Sequence, residues 1–138
     1  SPKDVTHIKN GNDKLIVTEG MFDLLSIISL DTTLASGYDF LVMNSTAFVS
    51  KAREIMNGYL QIKLYLDTDL NGKRTTKKLM EHSNNCFDKS ILYHGFKDVN
   101  DWLMNRAKKE FGQEAQDVFL LPQKQTCFTP DGRKEEIK

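Results

Sequence analysis

Four short runs of apolar, β-branched and aromatic residues punctuate the chain: Leu15-Ile16-Val17, Phe40-Leu41-Val42-Met43, Ile62-Lys63-Leu64-Tyr65-Leu66 and Ile91-Leu92-Tyr93. Each is too short for a helix and reads as a buried strand. A helical pattern follows every one of them. Behind the first, Met21, Leu24, Leu25 and Ile28 share a face; behind the second, Phe48, Ala52, Ile55 and Met56 run up to a stop at Asn57-Gly58. The third helix, over residues 70–82, carries only a thin stripe of Leu79 and Met80, and the fourth presents Val99, Trp102, Leu103, Ala107 and Phe111 before Gly112. Regular strand-helix alternation predicts an α/β fold, with a four-stranded parallel sheet covered by helices on both faces in three layers.

The periodic region spans residues 14–112. Residues 1–13 are polar, end in Asn10-Gly11-Asn12, and read as a flexible lead-in with an edge strand at Val5-Thr6-His7-Ile8. Residues 113–138 read as an extension. Its one apolar patch, Val118-Phe119-Leu120-Leu121, would pack on the domain up to Pro122, and the polar remainder would be mobile. A chain of 138 residues supports one core. Its 19 basic and 19 acidic residues cancel, which argues against a uniformly basic nucleic-acid-binding surface but allows local segregation of charge. Cys86 and Cys127 form no C-x-x-C pair, so a zinc ribbon is excluded and both read as free thiols. No apolar run approaches the ~20 residues that cross a bilayer, and the start Ser1-Pro2-Lys3-Asp4 lacks a signal peptide's apolar stretch. The expectation is a soluble, cytoplasmic domain cut from a longer protein.

Carboxylates fall where a parallel sheet builds its sites, at the carboxyl ends of strands. Glu19-Gly20 follows the first strand, Asp67 and Asp69 follow the third, and Asp98 lies in Lys97-Asp98-Val99-Asn100-Asp101 beyond the fourth. Asp23, four residues after Glu19, shares its side of the first helical turn. So many acids at one edge raise one another's pKa values unless a cation compensates. Mg²⁺ suits the set, with Mn²⁺ as a substitute, because it prefers oxygen and needs only one or two carboxylates plus a substrate's phosphates. In Asp67-Thr68-Asp69 the alternate residues of an extended strand end would face one ion, and Gly72 would let the backbone turn closely into the third helix. An EF-hand is rejected because position twelve of that loop falls on Lys78 rather than a Glu. A D-x-D phosphatase, with Asp67 as covalent nucleophile, leaves Glu19-Gly20 unexplained. Asp98 has an equal claim as a helix cap, as does the polar turn Asn44-Ser45-Thr46.

Ile16-Val17-Thr18-Glu19-Gly20-Met21-Phe22-Asp23, then Leu64-Tyr65-Leu66-Asp67-Thr68-Asp69-Leu70-Asn71-Gly72, then Lys97-Asp98-Val99-Asn100-Asp101 together resemble the Toprim domain of DnaG-type primases, topoisomerases and some nucleases. The resemblance covers about residues 14–105, and E-G-x-x-D with a late K-D-x-N-D is most like the primase branch. It implies a Rossmann-like Toprim fold in which Glu19, Asp67 and Asp69 hold Mg²⁺ with Asp23 and Asp98, and Glu19 also acts as acid/base in nucleotidyl transfer. Asn100 departs from the acid that many primases carry, with Asp101 as a substitute. If Glu19 and the Asp67 pair share a site, the first and third strands are neighbours, giving the order 2-1-3-4.

The activity so implied is primer synthesis by the catalytic domain of a DNA primase, an Mg²⁺-dependent nucleotidyltransferase incomplete in isolation. Its partners would be a single-stranded DNA template, nucleoside triphosphates, and a helicase or other replication protein, with no membrane. Lys73, Arg74 and Lys97 would grip phosphate, and Lys77 and Lys78 read as solvated surface. A Toprim-type nuclease and a non-catalytic module that recruits DNA or a replication protein are the alternatives.

Overall fold

The protein is described by a computed structural model covering residues 4–111 and two short strands at 126–128 and 134–136. The chain falls into two compact units, residues 1–103 and 104–138. In the first, β1 (Thr6–Ile8), β2 (Lys14–Thr18), α1 (Met21–Leu30), a single helical turn α2 (Leu34–Gly37), β3 (Asp39–Val42), α3 (Val49–Met56), β4 (Gln61–Tyr65), α4 (Leu70–His82) and β5 (Cys86–Asp88) precede the start of α5 (Val99–Phe111). Short 3-10 segments lead into α3 and follow β5.

The five strands form one sheet in the order β1-β3-β2-β4-β5. β3, β2, β4 and β5 are parallel, in the anticipated 2-1-3-4 arrangement, and β1 is added antiparallel at the β3 edge. Leu15 to Thr18 are all buried, because side chains of the central strand alternate between two covered faces. On one face Leu15, Val17, Leu41 and Leu64 pack with Ala52 and Met56 of α3 and Leu79 of α4. On the other, Ile16, Phe40 and Val42 pack with Leu24 and Ile27 of α1, Tyr93, and Val99 of α5. The result is the expected three-layer α/β architecture.

One strand lies elsewhere than the sequence expectation puts it, and the lead-in carries its expected edge strand, as β1, within a more fully bonded segment. The fourth parallel strand is Cys86–Asp88, whereas Ile91-Leu92-Tyr93 belongs to the 3-10 segment. Only Tyr93 of that apolar run is buried, and Ile91 is 77% exposed, so the run was not the buried strand its composition suggested. Tyr93 instead donates its hydroxyl proton to the carbonyl of Leu66 at 2.6 Å. The lead-in is also fastened. Besides pairing β1 with β3, it donates the N–H groups of Asn10 and Asn12 to Asp39 Oδ1 at 2.8 and 3.1 Å. Tyr59 donates its proton to Asp39 Oδ2 at 2.6 Å, so His7 Nε2, 2.7 Å from the same phenol oxygen, is the donor there. These bonds clamp the edge strand to the sheet's amino end.

In the second unit, β6 (Thr126–Phe128) and β7 (Lys134–Glu136) pair antiparallel, within a stretch whose polar composition suggested a mobile tail. The apolar patch at residues 118–121 lies outside the described residues. Among the described residues no helix is long and apolar enough to cross a membrane.

Candidate metal centre

Strand order sets up the centre. From β2 the chain leaves through α1 to β3 on one side, and from β3 it crosses the opposite face through α3 to β4 on β2's other side. The loops beyond Thr18 and Tyr65, which are directly paired, therefore open into a crevice at a switch point. A cleft of about 340 Å³ lies there, lined by Glu19, Gly20, Met21, Phe22, Asp23, Asp67, Asp98 and Asn100.

Each wall is held by main-chain hydrogen bonds. Glu19 Oε2 accepts the N–H of Asp67 at 2.9 Å, joining the loops after β2 and β4. Asp23 is buried in the first turn of α1. Its Oδ2 accepts the N–H of Gly20 and its Oδ1 the N–H of Asn100, each at 3.3 Å, so one carboxylate ties the start of α1 to the start of α5. Asp98 Oδ1 accepts the N–H of Asp101 at 2.7 Å, so the capping role and the site role coincide in this residue. Thr68 binds the loop after β4 to the segment before α5, with its N–H on Lys97 O at 2.7 Å and its hydroxyl on Phe96 O at 2.6 Å.

Oxygens of Asp23, Asp67 and Asp98 all lie within 4.8 Å of one another. Burial, then the neighbouring charge of Asp98, pushes the Asp23 carboxyl up to about 7, against the opposing pull of its two N–H donors. Asp67 is likewise pushed up to about 7, by burial first and then by Glu19, Asp23 and Asp98, while the Lys97 charge works against the rise. Asp67 Oδ1 is buried and meets no hydrogen-bond donor. Three clustered carboxylates, one of them with a buried oxygen that meets no donor, are a donor set suited to a hard divalent cation.

The sequence-predicted residues divide here. Glu19, Asp23, Asp67 and Asp98 come together in the cleft. Asp69 is exposed and spends Oδ1 on the N–H of Gly72 at 2.8 Å as the cap of α4. The expectation that Asp67 and Asp69 face one ion from an extended strand end is replaced, because β4 ends at Tyr65 and the free N–H groups of α4 claim Asp69. Lys73, Arg74 and Lys97 are exposed, and the charge of Lys97 bears on the Asp67 carboxyl. Asn100 Oδ1 lies 3.0 Å from the buried Ser26 hydroxyl. Ser45 caps the 3-10 turn through the N–H of Ala47 at 3.1 Å.

Two supporting residues, Thr68 and Ser26, carry roles that spacing did not suggest, and Asn44, read only as part of a capping turn, has a further one. Asn44 adopts the left-handed region at φ 64°, which Asn tolerates better than most residues, and its N–H holds Glu19 O at 2.9 Å. The polar turn Asn44-Ser45-Thr46 soon after β3 was the available signal. Thr68 and Ser26 gave none.

Gly72 is required by contact. A Cβ built there would stand 2.1 Å from Asp67 O and 2.7 Å from its carbonyl carbon. α4 meets the sheet through Gly72, Thr75, Thr76 and Leu79, at one-turn spacing. Gly72→Ala must displace backbone, so it is expected to cost at least the ~1–3 kcal/mol typical of overpacking and to shift the Asp67 loop. Urea denaturation checks the first effect, and an unchanged midpoint would contradict the close approach.

The raised carboxyls also predict a pH dependence. A carboxyl lifted from the ordinary 3.8 to about 7 binds more protons folded than unfolded across that window. The metal-free chain therefore loses stability as pH rises from about 4 to 7, and a bound divalent cation flattens the trend. Thermal melts in EDTA and in Mn²⁺ between pH 5 and 8 test it; a metal-free midpoint that does not fall would refute the shifts.

A sequence model of the Toprim-like family matches residues 16–103, well over half of the chain. The fold resembles that of the primase fragment of the bacteriophage T7 primase-helicase protein, with a TM-score of 0.58 and 20% identity over 78% of this chain and 43% of that one. It also resembles a chain in the structure of the T7 lagging-strand DNA polymerase with primase domains of two gp4 subunits bound to an RNA/DNA hybrid and dTTP. There the TM-score is 0.57 and the identity 21%, covering 78% of this chain and 55% of that one. The chain thus spans about half the length of these solved structures, and at such identities the likeness is one of fold. Among curated proteins the sequence finds no match. With its match extending from the middle of β2 to Leu103 in α5, and so across every loop that lines the cleft, the chain belongs to the Toprim-like family.

Proposed function

We propose that this chain is the metal-dependent nucleotidyl-transfer domain of a DNA primase, acting on nucleoside triphosphates along a single-stranded DNA template. The observation that carries the reading is the convergence of Asp23, Asp67 and Asp98 from three separate loops, with a buried Asp67 oxygen that no donor satisfies. Such a group is unfavourable for folding alone and suits a phosphate-handling centre. The primase assignment is supported by the motif resemblance and by the T7 primase folds.

In this reading Asp23, Asp67 and Asp98 are the principal oxygen donors for Mg²⁺, and Asp69 is an outer donor at the exposed start of α4. A bound Mg²⁺ would neutralise phosphate oxygens and stabilise charge on the attacking and leaving oxygens. Glu19, held against the Asp67 N–H, accepts or returns the proton of the reacting hydroxyl. The N–H groups of Gly20 and Asn100 keep Asp23 oriented into the cleft. Lys97 opposes the acidic field at Asp67 and grips phosphate from the rim, with Lys73 and Arg74 as contacts for the template backbone. The parent protein's replication partners, such as a helicase, belong to the same proposal.

The test supplies the parent protein with single-stranded template, nucleoside triphosphates and Mg²⁺, beside its Glu19→Gln variant. Loss of a proton-transfer group predicts roughly 10²–10⁴-fold less extension product. Extension by the variant at the parent's rate would overturn the role of Glu19, and shortened template in place of extension would overturn the primase reading.

A further inference from the structure

The cleft has a wall that carboxylate chemistry does not use. Phe22, the second residue of α1, lines it beside Glu19, Asp23, Asp67 and Asp98 while remaining 68% exposed. Met21 before it is 39% exposed and also lines the cleft. Neither belongs to the two core clusters, which take Leu24 and Ile27 from this helix. Side chains in the first turn of a helix lean back beyond its amino end, so a ring at position 22 overhangs the turn that carries Glu19. Leu25, one turn further on, is 50% exposed and continues the apolar strip away from the acids.

Resting on the nucleotidyl-transfer reading above, we infer that Phe22 is a stacking platform for a nucleobase whose attached phosphates are held at the carboxylate cleft. A nucleotide has two chemically unlike halves, an anionic chain that a divalent cation bridges to carboxylates and a flat, neutral base that an aromatic face accepts without regard to sequence. The cleft has two matching walls. Its volume of about 340 Å³ lies at the lower end of the range for sites that enclose a small ligand, which suits one nucleotide. The ring is kept out of both core clusters and placed beside the acids. The base can belong to the incoming triphosphate or to a strand, and both present the same π-face.

The experiment measures Mn²⁺-dependent binding of ATP, of inorganic tripolyphosphate and of a twelve-residue oligothymidylate to this chain and to its Phe22→Leu and Phe22→Tyr variants. Loss of the ring predicts about tenfold weaker binding of ATP by Phe22→Leu. Phe22→Tyr should bind ATP as the parent chain does, and tripolyphosphate binding should be unchanged in both variants. Weakening confined to the oligothymidylate would support the same platform and assign it to a strand base. Unchanged ATP and oligothymidylate affinities in Phe22→Leu, with tripolyphosphate binding intact, would overturn the stacking role and leave the metal centre standing. Equal weakening of ATP and tripolyphosphate would overturn it too, by showing that Phe22 shapes the phosphate site. Absence of Mn²⁺-dependent tripolyphosphate binding by the parent chain would overturn the metal reading, and the platform with it.

Discussion

The mutual repulsion of Asp23, Asp67 and Asp98 is the constraint around which the rest of this domain is arranged. Three carboxylates whose oxygens lie within 4.8 Å would separate if their loops were free to move. They are held together from behind. The Gly20 and Asn100 N–H groups fix Asp23, the Asp101 N–H fixes Asp98, and Glu19 takes the main-chain N–H of Asp67 while Asp67 Oδ1 is left without a donor. The centre is thus rigid in its backbone and unsatisfied in its charge, the condition in which a cation gains most.

That rigidity is supplied by the sheet and its layers. β2 and β4 are hydrogen-bonded neighbours, so the loops after them emerge side by side. Below the Asp67 loop, the Tyr93 hydroxyl satisfies the Leu66 carbonyl in a fully buried position. Above it, Gly72 brings α4 against the Asp67 carbonyl at a distance no side chain would permit. Thr68 closes the loop onto Phe96 and Lys97. These contacts come from three parts of the chain and converge on residues 66–68, which is why one oxygen can remain unsatisfied there without the loop rearranging around it.

Much of this was legible in the sequence where burial dominates. The three central strands are buried on both faces, so their apolar runs stand out, and the helices behind them carry periodic stripes. The edges were less legible. Cys86–Asp88 has a single buried residue, too little to register as a strand, while Ile91 and Leu92 are apolar but exposed and drew the prediction to the wrong segment. β1 owes its place to pairing with β3 and to the Asp39 and Tyr59 bonds, which are tertiary contacts with only a weak local pattern. At the centre, Glu19 and Asp67 line the cleft just beyond the ends of β2 and β4, whereas Asp98 reaches it from the segment before α5, ten residues past β5. Alternation along an extended segment does not describe Asp69, whose Oδ1 is taken by helix capping. Asn44 and Ser26 act through geometry that spacing alone does not reveal.

The central claim is that Asp67 is kept at a cost to the fold because it holds a cation. Its isosteric variant Asp67→Asn separates these two effects in one measurement: thermal stability at pH 8, titrated with Mn²⁺ from zero. The account predicts that Asp67→Asn melts higher than the parent chain without metal, since one charge has left the cluster, and gains little from Mn²⁺, with an affinity at least about tenfold weaker. A variant that is less stable without metal, or that Mn²⁺ stabilises as strongly as it does the parent, would contradict the account.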